Sequence, residues 1–370
     1  MNFKKPAVPP YALSHRISLG IWGVGCRALR AYVQEAARAL PSGISMAFLD
    51  AAHEEVRSEA NCKIEYYHNS DFIEIYGAGA DKDNYEWQKH ELLLINAHHH
   101  AAEVNCLILD GKKPFRSVKE LESQTHYIWI REGFEDLHAQ LSQEHAFHES
   151  LLCFYESRGQ SLNDVIKHFA SVRQAPLHAL ILAGGKSTRM GHDKSDIDYH
   201  GMRQRDFLAS LMEELNIPYR ISCNHLQYEE WGRAPHLLPD RFLDLGPMSG
   251  MLTAYCEYPG SALLVLACDL PGMDKTAVQH LVSSRSLFHK VTAYRDLNKP
   301  YADPLAAIWE PGCYPALLHS LASGKTCPRR MLDALSLLEI TVPHSGVLAN
   351  ANTPEELRQF QLTLQHEYQG

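Results

Sequence analysis

Leu177–Lys194, LHALILAGGKSTRMGHDK, is the stretch from which the rest of the chain is read. An apolar run, Ala179 to Leu182, ends abruptly at Gly184-Gly185. A buried strand that stops at paired glycines delivers backbone N–H groups to an anion. Glycine serves there because a Cβ would hold a phosphate away from the amides. Lys186, Arg189 and Lys194 place three cations on or beside the loop, and Met190-Gly191 and Asp193-Lys194 close it. Strand-Gly-Gly alone also describes an ordinary strand-to-helix turn. The longer string, with two glycine elements, an arginine and a lysine at fixed offsets, is far more specific.

Downstream, Arg205 to Leu215 patterns as an amphipathic helix and Ile217 to Asn224 as a strand ending in a polar residue. Leu237 to Asp240 is a further strand with Asp240 at its exit. Asp244 to Gly250 is a loop leading into a helix, Met251 to Glu257. Ala262 to Ala267, ALLVLA, is apolar throughout and is closed by Cys268-Asp269-Leu270-Pro271. Such a strand is buried on both faces, as in a parallel sheet. In open parallel sheets ligands sit beyond the carboxyl ends of the strands. Gly184, Asn224, Asp240 and Asp269 each fall at such an end, so four segments are expected to meet at one rim. Asp269 either holds a divalent cation or caps the helix that follows, with Pro271 near its first turn. Val291 to Tyr294 and Leu305 to Trp309 read as strands, with Asp303-Pro304 before the second, and Leu338 to Val342 as the last. In Asn350-Ala-Asn352-Thr353-Pro354, Thr353 is a good helix N-cap.

The first half reads differently. Residues 1 to about 15 hold three prolines and form an irregular arm. A strand from Arg16 to Ile21, the loop Gly20-Ile-Trp-Gly23-Val-Gly25-Cys26-Arg27 and a helix from Ala28 to Leu40 have the layout of a P-loop. A working P-loop follows its last glycine with Lys and then Ser or Thr. Cys26 and Arg27 stand there instead, so no hydroxyl is present to ligate a metal, and the loop is not expected to hydrolyse nucleotide. Buried strands follow at Ile44–Asp50, Leu92–Asn96, Leu107–Asp110 and Tyr127–Ile130, implying an alternating, parallel α/β sheet. His98-His99-His100 invites a metal reading, but adjacent residues on an extended segment point to opposite faces. Phe134 to about Val172 is expected to be largely helical, with Leu137, Leu141, Leu151, Leu152 and Phe154 as candidate apolar positions and Ser161 to Asp164 capping a short final helix, Val165 to Val172. Gln174-Ala175-Pro176 is the expected domain boundary.

Composition narrows the class. The chain has 370 residues, 45% apolar, enough for two ordinary cores. A net charge of −9 with no long basic run argues against nucleic acid. No run of 18 uncharged apolar residues and no signal-peptide start are present, so a soluble, cytoplasmic protein without a membrane partner is expected. Nine scattered cysteines without a CxxC pair imply reduced thiols.

LAGGxSxRMGxDK, read here over Leu182–Lys194, resembles the signature loop of the molybdenum cofactor guanylyltransferases, within the wider nucleotidyltransferases. Sugar nucleotidyltransferases show GTR followed by leucine, and the cytidylyltransferases of isoprenoid synthesis end the loop in Pro-Lys. The strand, glycine loop and helix of the first half resemble, more distantly, the GTP-binding adapter protein of the same pathway with its P-loop worn away. The resemblance implies an α/β fold with two α/β/α domains. The C-terminal one, 177–370, would carry a Rossmann-like, mostly parallel sheet of the nucleotide-diphospho-sugar-transferase type. The N-terminal one, 1–173, would be a degenerate P-loop-like domain of unknown role. The implied reaction transfers GMP from GTP to molybdenum-loaded molybdopterin, giving molybdopterin guanine dinucleotide and pyrophosphate.

By carry-over, Leu182, Ala183, Gly184 and Gly185 line the path of the guanine and phosphates, and Lys194 meets the nucleotide. Asn224 and Asp240 help hold guanosine, and Asp269 ligates Mg²⁺ near the α-phosphate. Arg189, Lys194 and Asp269 are the implied catalytic residues, and Asn350 and Asn352 reach the pterin. Molybdoenzyme apoproteins or their chaperones are the implied protein partners. Where the family follows Asp-Lys with Gly and apolar residues, this chain has Ser195-Asp196-Ile197-Asp198, two extra carboxylates by the phosphate site. Cytidylyl transfer to the same pterin and a non-catalytic cofactor-binding scaffold stay open as alternatives.

Overall fold

A computed structural model describes residues 17–41, 44, 46–50, 62–67, 70–76, 92–98, 102, 104–111, 125–144, 151–183 and 194–349. The positions expected at Gly184, Gly185, Lys186, Arg189, His99, His100, Asn350, Asn352 and Thr353 lie outside them, as does the side chain of Lys194. The chain divides into two compact units, Met1–Gln174 and Ala175–Gly370.

In the first unit β1 (Ile17–Trp22) runs into α1 (Cys26–Arg38), followed by β2 (Met46–Asp50), β3 (Cys62–Tyr67), β4 (Ser70–Tyr76), β5 (Leu92–Asn96), β6 (Asn105–Leu109), β7 (Tyr127–Ile130), α2 (Glu135–Glu144), β8 (Leu152–Tyr155) and α3 (Leu162–Val172). The sheet order is β3-β4-β2-β5-β1-β6-β7-β8. Every neighbouring pair is parallel except β3 with β4. All residues of β2, β5, β6 and β7 are buried, as strands covered on both faces must be. The expectation of a largely helical 134–172 fails at Leu152–Tyr155. This segment pairs in parallel with β7, Tyr127 opposite Leu152 and Ile130 opposite Tyr155. Four residues are too few to show a period, and the ladder to β7 decides their state. The antiparallel pair β3–β4 also escaped the sequence pattern. α3 starts at Leu162, three residues before the expected Val165, and is capped within the expected segment: the Ser161 backbone N–H donates to Asp164 Oδ2 at 2.7 Å.

The second unit contains β9 (Leu177–Leu182), α4 (Gln204–Glu214), β10 (Tyr219–Cys223), α5 (His225–Glu230), β11 (Leu237–Pro239), α6 (Pro247–Glu257), β12 (Ala262–Ala267), α7 (Lys275–Ser283), β13 (Val291–Arg295), β14 (Ala302–Trp309), α8 (Tyr314–Ala322), α9 (Pro328–Leu332) and β15 (Leu337–Thr341). The order is β11-β10-β9-β12-β14-β13-β15. β14 runs antiparallel to both its neighbours, and the other adjacent pairs are parallel. Alternation along the central strands divides the core in two. Ile181, Leu264 and Leu266 pack with Leu208 and Met212 of α4 and Val278 and Leu281 of α7. Leu180, Leu263 and Val265 pack with Met251, Leu252 and Tyr255 of α6 and with Trp309. The result is an α/β/α layering. Among the described residues no helix is long and apolar enough to cross a membrane.

Three of the boundary differences bear on the site. α6 starts at Pro247, four residues before the expected Met251, with proline at the first helical turn where its missing N–H costs nothing. Asn224 does not end a strand but caps α5, a helix not anticipated. Asp303-Pro304 lies inside β14 rather than before it.

Candidate active site

β11, β10, β9 and β12 are adjacent and parallel, so their carboxyl ends share one edge. Asp240, Asn224, Ala183 and Asp269 follow those ends within one or two residues. Beyond the ladder the Cys268 N–H donates to the Leu182 carbonyl (3.3 Å) and the Ala183 N–H to the Ser222 carbonyl (3.0 Å). These bonds keep the exit of β9 level with its neighbours where the chain enters the glycine loop. Leu182 and Ala183 are buried.

At Asn224, Oδ1 accepts the Gln227 N–H at 2.9 Å while Gln227 Oε1 accepts the Asn224 N–H at 2.8 Å, a reciprocal cap. Gln227 is buried, and its Nε2 donates to the Ala183 carbonyl at 3.2 Å. It thus ties the start of α5 to the entrance of the glycine loop. Gln227 was missed in the sequence, although the Asn-x-x-Gln spacing is a legible capping signal.

Asp240 Oδ1 accepts a 2.7 Å hydrogen bond from Ser222 Oγ. Burial pushes its carboxyl up to about 6, against the opposing hydrogen bonds from Ser222 and Ser249. The unfolded carboxyl ionises near 3.8, so between these values the unfolded chain holds fewer protons. This contribution to stability is therefore full below pH 4, falls as pH rises to about 6, and stays lost above. Asp240→Asn is expected to flatten that slope and to stabilise the protein at pH 8 by about 2 kcal/mol. Urea unfolding at pH 4 and pH 8 measures it; an unchanged slope would contradict the assignment.

Asp269 is half-buried, two residues past a strand of six buried residues. The alternative role of helix cap falls to another residue: Asp274 Oδ1 accepts the Ala277 N–H at 2.8 Å and starts α7. The turn after Asp269 is held from α4 and the segment before it. Gln204, wholly buried, donates to the Leu270 carbonyl at 3.4 Å. His200 Nε2 lies 3.0 Å from the Pro271 carbonyl, its ring stacked 3.8 Å from Phe207. Tyr199 is buried beside Asp269; burial, reinforced by that carboxylate, pushes its phenol up to about 12.

β14 runs antiparallel beside β12, Leu266 opposite Ala306, and it carries Asp303 to the end of the sheet where Asp269 lies near enough for its charge to act on it. Burial raises the Asp303 carboxyl, and the Asp269 charge raises it further. Its Oδ1 accepts the Leu305 N–H at 2.9 Å. Asp303 is thus a second carboxylate at this edge, brought there by an antiparallel strand. Its sequence signal, an Asp-Pro before a strand, is too common to single out.

The extra carboxylate Asp196 is neutralised. It pairs with Arg205 and lies 3.9 Å from Arg203, and Arg205 is itself buried with its guanidinium 3.8 Å over Trp231.

In the first unit the glycine loop is closed by side chains at the ends of β5 and β2. His98 Nε2 lies 2.9 Å from the Val24 carbonyl and 3.3 Å from the Gly23 nitrogen, so either tautomer engages the loop backbone. Asn96 Nδ2 donates to Asp50 Oδ1 at 2.6 Å and lies 3.5 Å from Cys26 Sγ; Arg30 pairs with Asp50 at 3.3 Å. Gly23, at φ +100°, has room for no Cβ, because the Ile108 carbonyl would stand 2.4 Å from it.

A mostly parallel α/β sheet with acidic residues just beyond adjacent strand ends, and a glycine-rich sequence following the strand between them, is the setting in which open sheets take ligands. Residues 179–339 match the family described as MobA-like NTP transferase domain. The molybdenum cofactor guanylyltransferase of Pseudomonas paraeruginosa is 32% identical over 192 residues, 49% of this chain and 93% of that protein. The chain belongs to the molybdenum cofactor guanylyltransferase family. The molybdenum cofactor biosynthesis bifunctional protein of Synechocystis is 33% identical over 199 residues, 52% of this chain and 55% of that protein, so the match spans about half the length of that relative. The crystal structure of molybdopterin-guanine dinucleotide biosynthesis protein A from Archaeoglobus fulgidus aligns with a TM-score of 0.44 at 17% identity, over 51% of this chain and 99% of that one.

Proposed function

We propose that the second unit transfers GMP from GTP to molybdenum-loaded molybdopterin, releasing pyrophosphate. The observation that carries this reading is the shared edge of β11, β10, β9 and β12, with Asp240, Asn224, Ala183 and Asp269 at the exits of four neighbouring strands. A terminal phosphate oxygen of the pterin attacks the α-phosphorus, a new P–O bond forms, and the α–β bridging bond breaks. Such transfer depends on positioning and on neutralising charge more than on an acid or base. Arg189 and Lys194 supply cations to the triphosphate, Asn224 and Asp240 hold the guanosine, and the backbone from Leu182 to Gly185 follows the phosphates. Asn350 and Asn352 hold the acceptor.

Among the described residues no group of three or more His, Cys, Asp or Glu is arranged to hold a metal. Mg²⁺ needs only one or two carboxylates and completes its shell with water and phosphate oxygens. Asp269 and Asp303, the latter with its carboxyl raised by burial and further by the Asp269 charge, fit that donor set. These two carboxylates would hold the ion, which supplies positive charge to the triphosphate when bound. The test is incorporation of labelled nucleotide into molybdopterin with GTP or CTP and Mg²⁺. GTP is expected to be preferred at least ~10-fold, since a base-reading site loses its hydrogen bonds with the wrong base. Preferential use of CTP would overturn the nucleotide assignment, and incorporation of neither would favour a scaffold.

A further inference from the structure

We propose that Arg205 is a positioning residue for the transfer reaction: through Asp196 it locks the turn that begins with Lys194 onto α4 and α5, so that Lys194 meets the triphosphate from a backbone already fixed. This rests on the reading of the second unit as a guanylyltransferase and adds a part that the strand exits do not supply.

Lys194–Asp196 is a single 3₁₀ turn, directly after the glycine-rich stretch. Hydrogen bonds in so short a turn are of poorer geometry, so its place is set by what it packs against. Ser195 is wholly buried, and the Asp196 carboxylate pairs with Arg205 in the first turn of α4. The chain doubles back to make that contact. The Gln204 N–H donates to the Ile197 carbonyl at 2.9 Å, and Asp198 bridges antiparallel to Arg203.

Arg205 is only 5% exposed. A guanidinium taken that far out of water is costly unless it is paired. Asp196 is one partner, and Asp206 Oδ1 lies 3.6 Å from its Nε. Its Cζ stands 3.8 Å from the centre of the Trp231 ring. Trp231 closes α5, its N–H donating to the Gln227 carbonyl at 2.8 Å, and packs on the core shared by α4 and β10. α5 is capped by Asn224, the residue assigned to guanosine. One guanidinium therefore ties the Lys194 turn to the helix on the guanosine side. Stacking on a ring while donating sideways to a carboxylate suits a planar guanidinium and not an ammonium.

The pair also acts on charge. Asp196 is two residues from Lys194, and a carboxylate left unneutralised there competes with the triphosphate for the lysine. Loss of Arg205 loosens the turn and releases that competitor. Both effects fall on GTP rather than on the acceptor.

The full-length chain and its Arg205→Met, Arg205→Lys, Asp196→Asn and Asp196→Asn/Arg205→Met variants are assayed for GMP transfer with GTP and molybdopterin varied in turn. Hydrogen exchange at the amides of residues 195–197 is followed without substrate. Arg205→Met is expected to raise KM for GTP about tenfold or more, with KM for molybdopterin unchanged and kcat lowered less. Arg205→Lys is expected to restore little of it, and Asp196→Asn to act in the same direction, more weakly. The double variant is expected to be no worse than Arg205→Met, because the two residues act as one unit. Exchange at 195–197 is expected to quicken about tenfold in Arg205→Met. Asp196 is 42% exposed, so its variant carries the test if Arg205→Met does not fold. A fall in kcat with KM for GTP unchanged, an equal rise in both KM values, additive effects in the double variant, or unaltered exchange would each overturn the proposal. A parent chain that transfers no GMP would overturn the reading of the second unit instead, and exchange would then decide the lock by itself.

Discussion

Asp269→Asn is expected to lower GMP transfer by ~10³-fold or more while leaving the thermal midpoint within about 2 °C of the parent, because charge placed against a phosphoryl-transfer transition state is worth several kcal/mol. The substitution is nearly isosteric, and Asp269 is half-buried at the end of β12, so packing changes little. What goes is the negative charge that acts on Asp303. Removing one of two repelling carboxylates relieves the fold slightly and disables the site, and opposite signs for stability and activity mark a functional charge. Asp303→Asn is expected to act in the same direction and more weakly. Retained transfer in Asp269→Asn, measured by pyrophosphate release at saturating GTP and Mg²⁺, would remove Asp269 from the mechanism.

The second large effect is on folding. Gly250→Val is expected to destabilise the protein by about 3 kcal/mol, through overpacking where two elements touch. A Cβ at Gly250 would stand 2.3 Å from Ser222 Oγ and 2.8 Å from Leu182 Cδ2. α6 therefore rests directly on β9 and β10, and nothing larger than hydrogen fits between. Ser222 is buried and donates to Asp240, so moving it also breaks the contact that fixes that carboxylate. The loss is read from chemical denaturation, with GTP affinity falling in parallel. A variant as stable as the parent would show that the helix can shift away from the sheet.

Much of the second unit was legible. ALLVLA could only be a strand buried on both faces, and all its residues are buried. Asn224, Asp240 and Asp269 were assigned to strand exits from apolar runs and the residues that end them, and the exits do share an edge. Where the reading slipped, the deciding interactions lie outside the local window. Leu152–Tyr155 has the composition of either state, and only its pairing with β7 makes it a strand. Asn224 looked like a strand terminus because the reciprocal cap with Gln227 involves a polar residue that is buried only by the tertiary fold.

What sequence by itself determined was the family loop at Leu182–Lys194, the acidic residue after β12 and the parallel α/β class. These depend on the order of residue types along a short stretch, which carries glycine's freedom, lysine's charge and the apolar run in its own letters. Tertiary structure alone decided that Asp303 comes within reach of the Asp269 charge, that Arg205 neutralises Asp196, and that His98 closes the first glycine loop. Each of these joins residues through antiparallel register, helix packing or burial. Spacing along the chain does not encode those distances, because they are set by which strands and helices become neighbours once the core has formed.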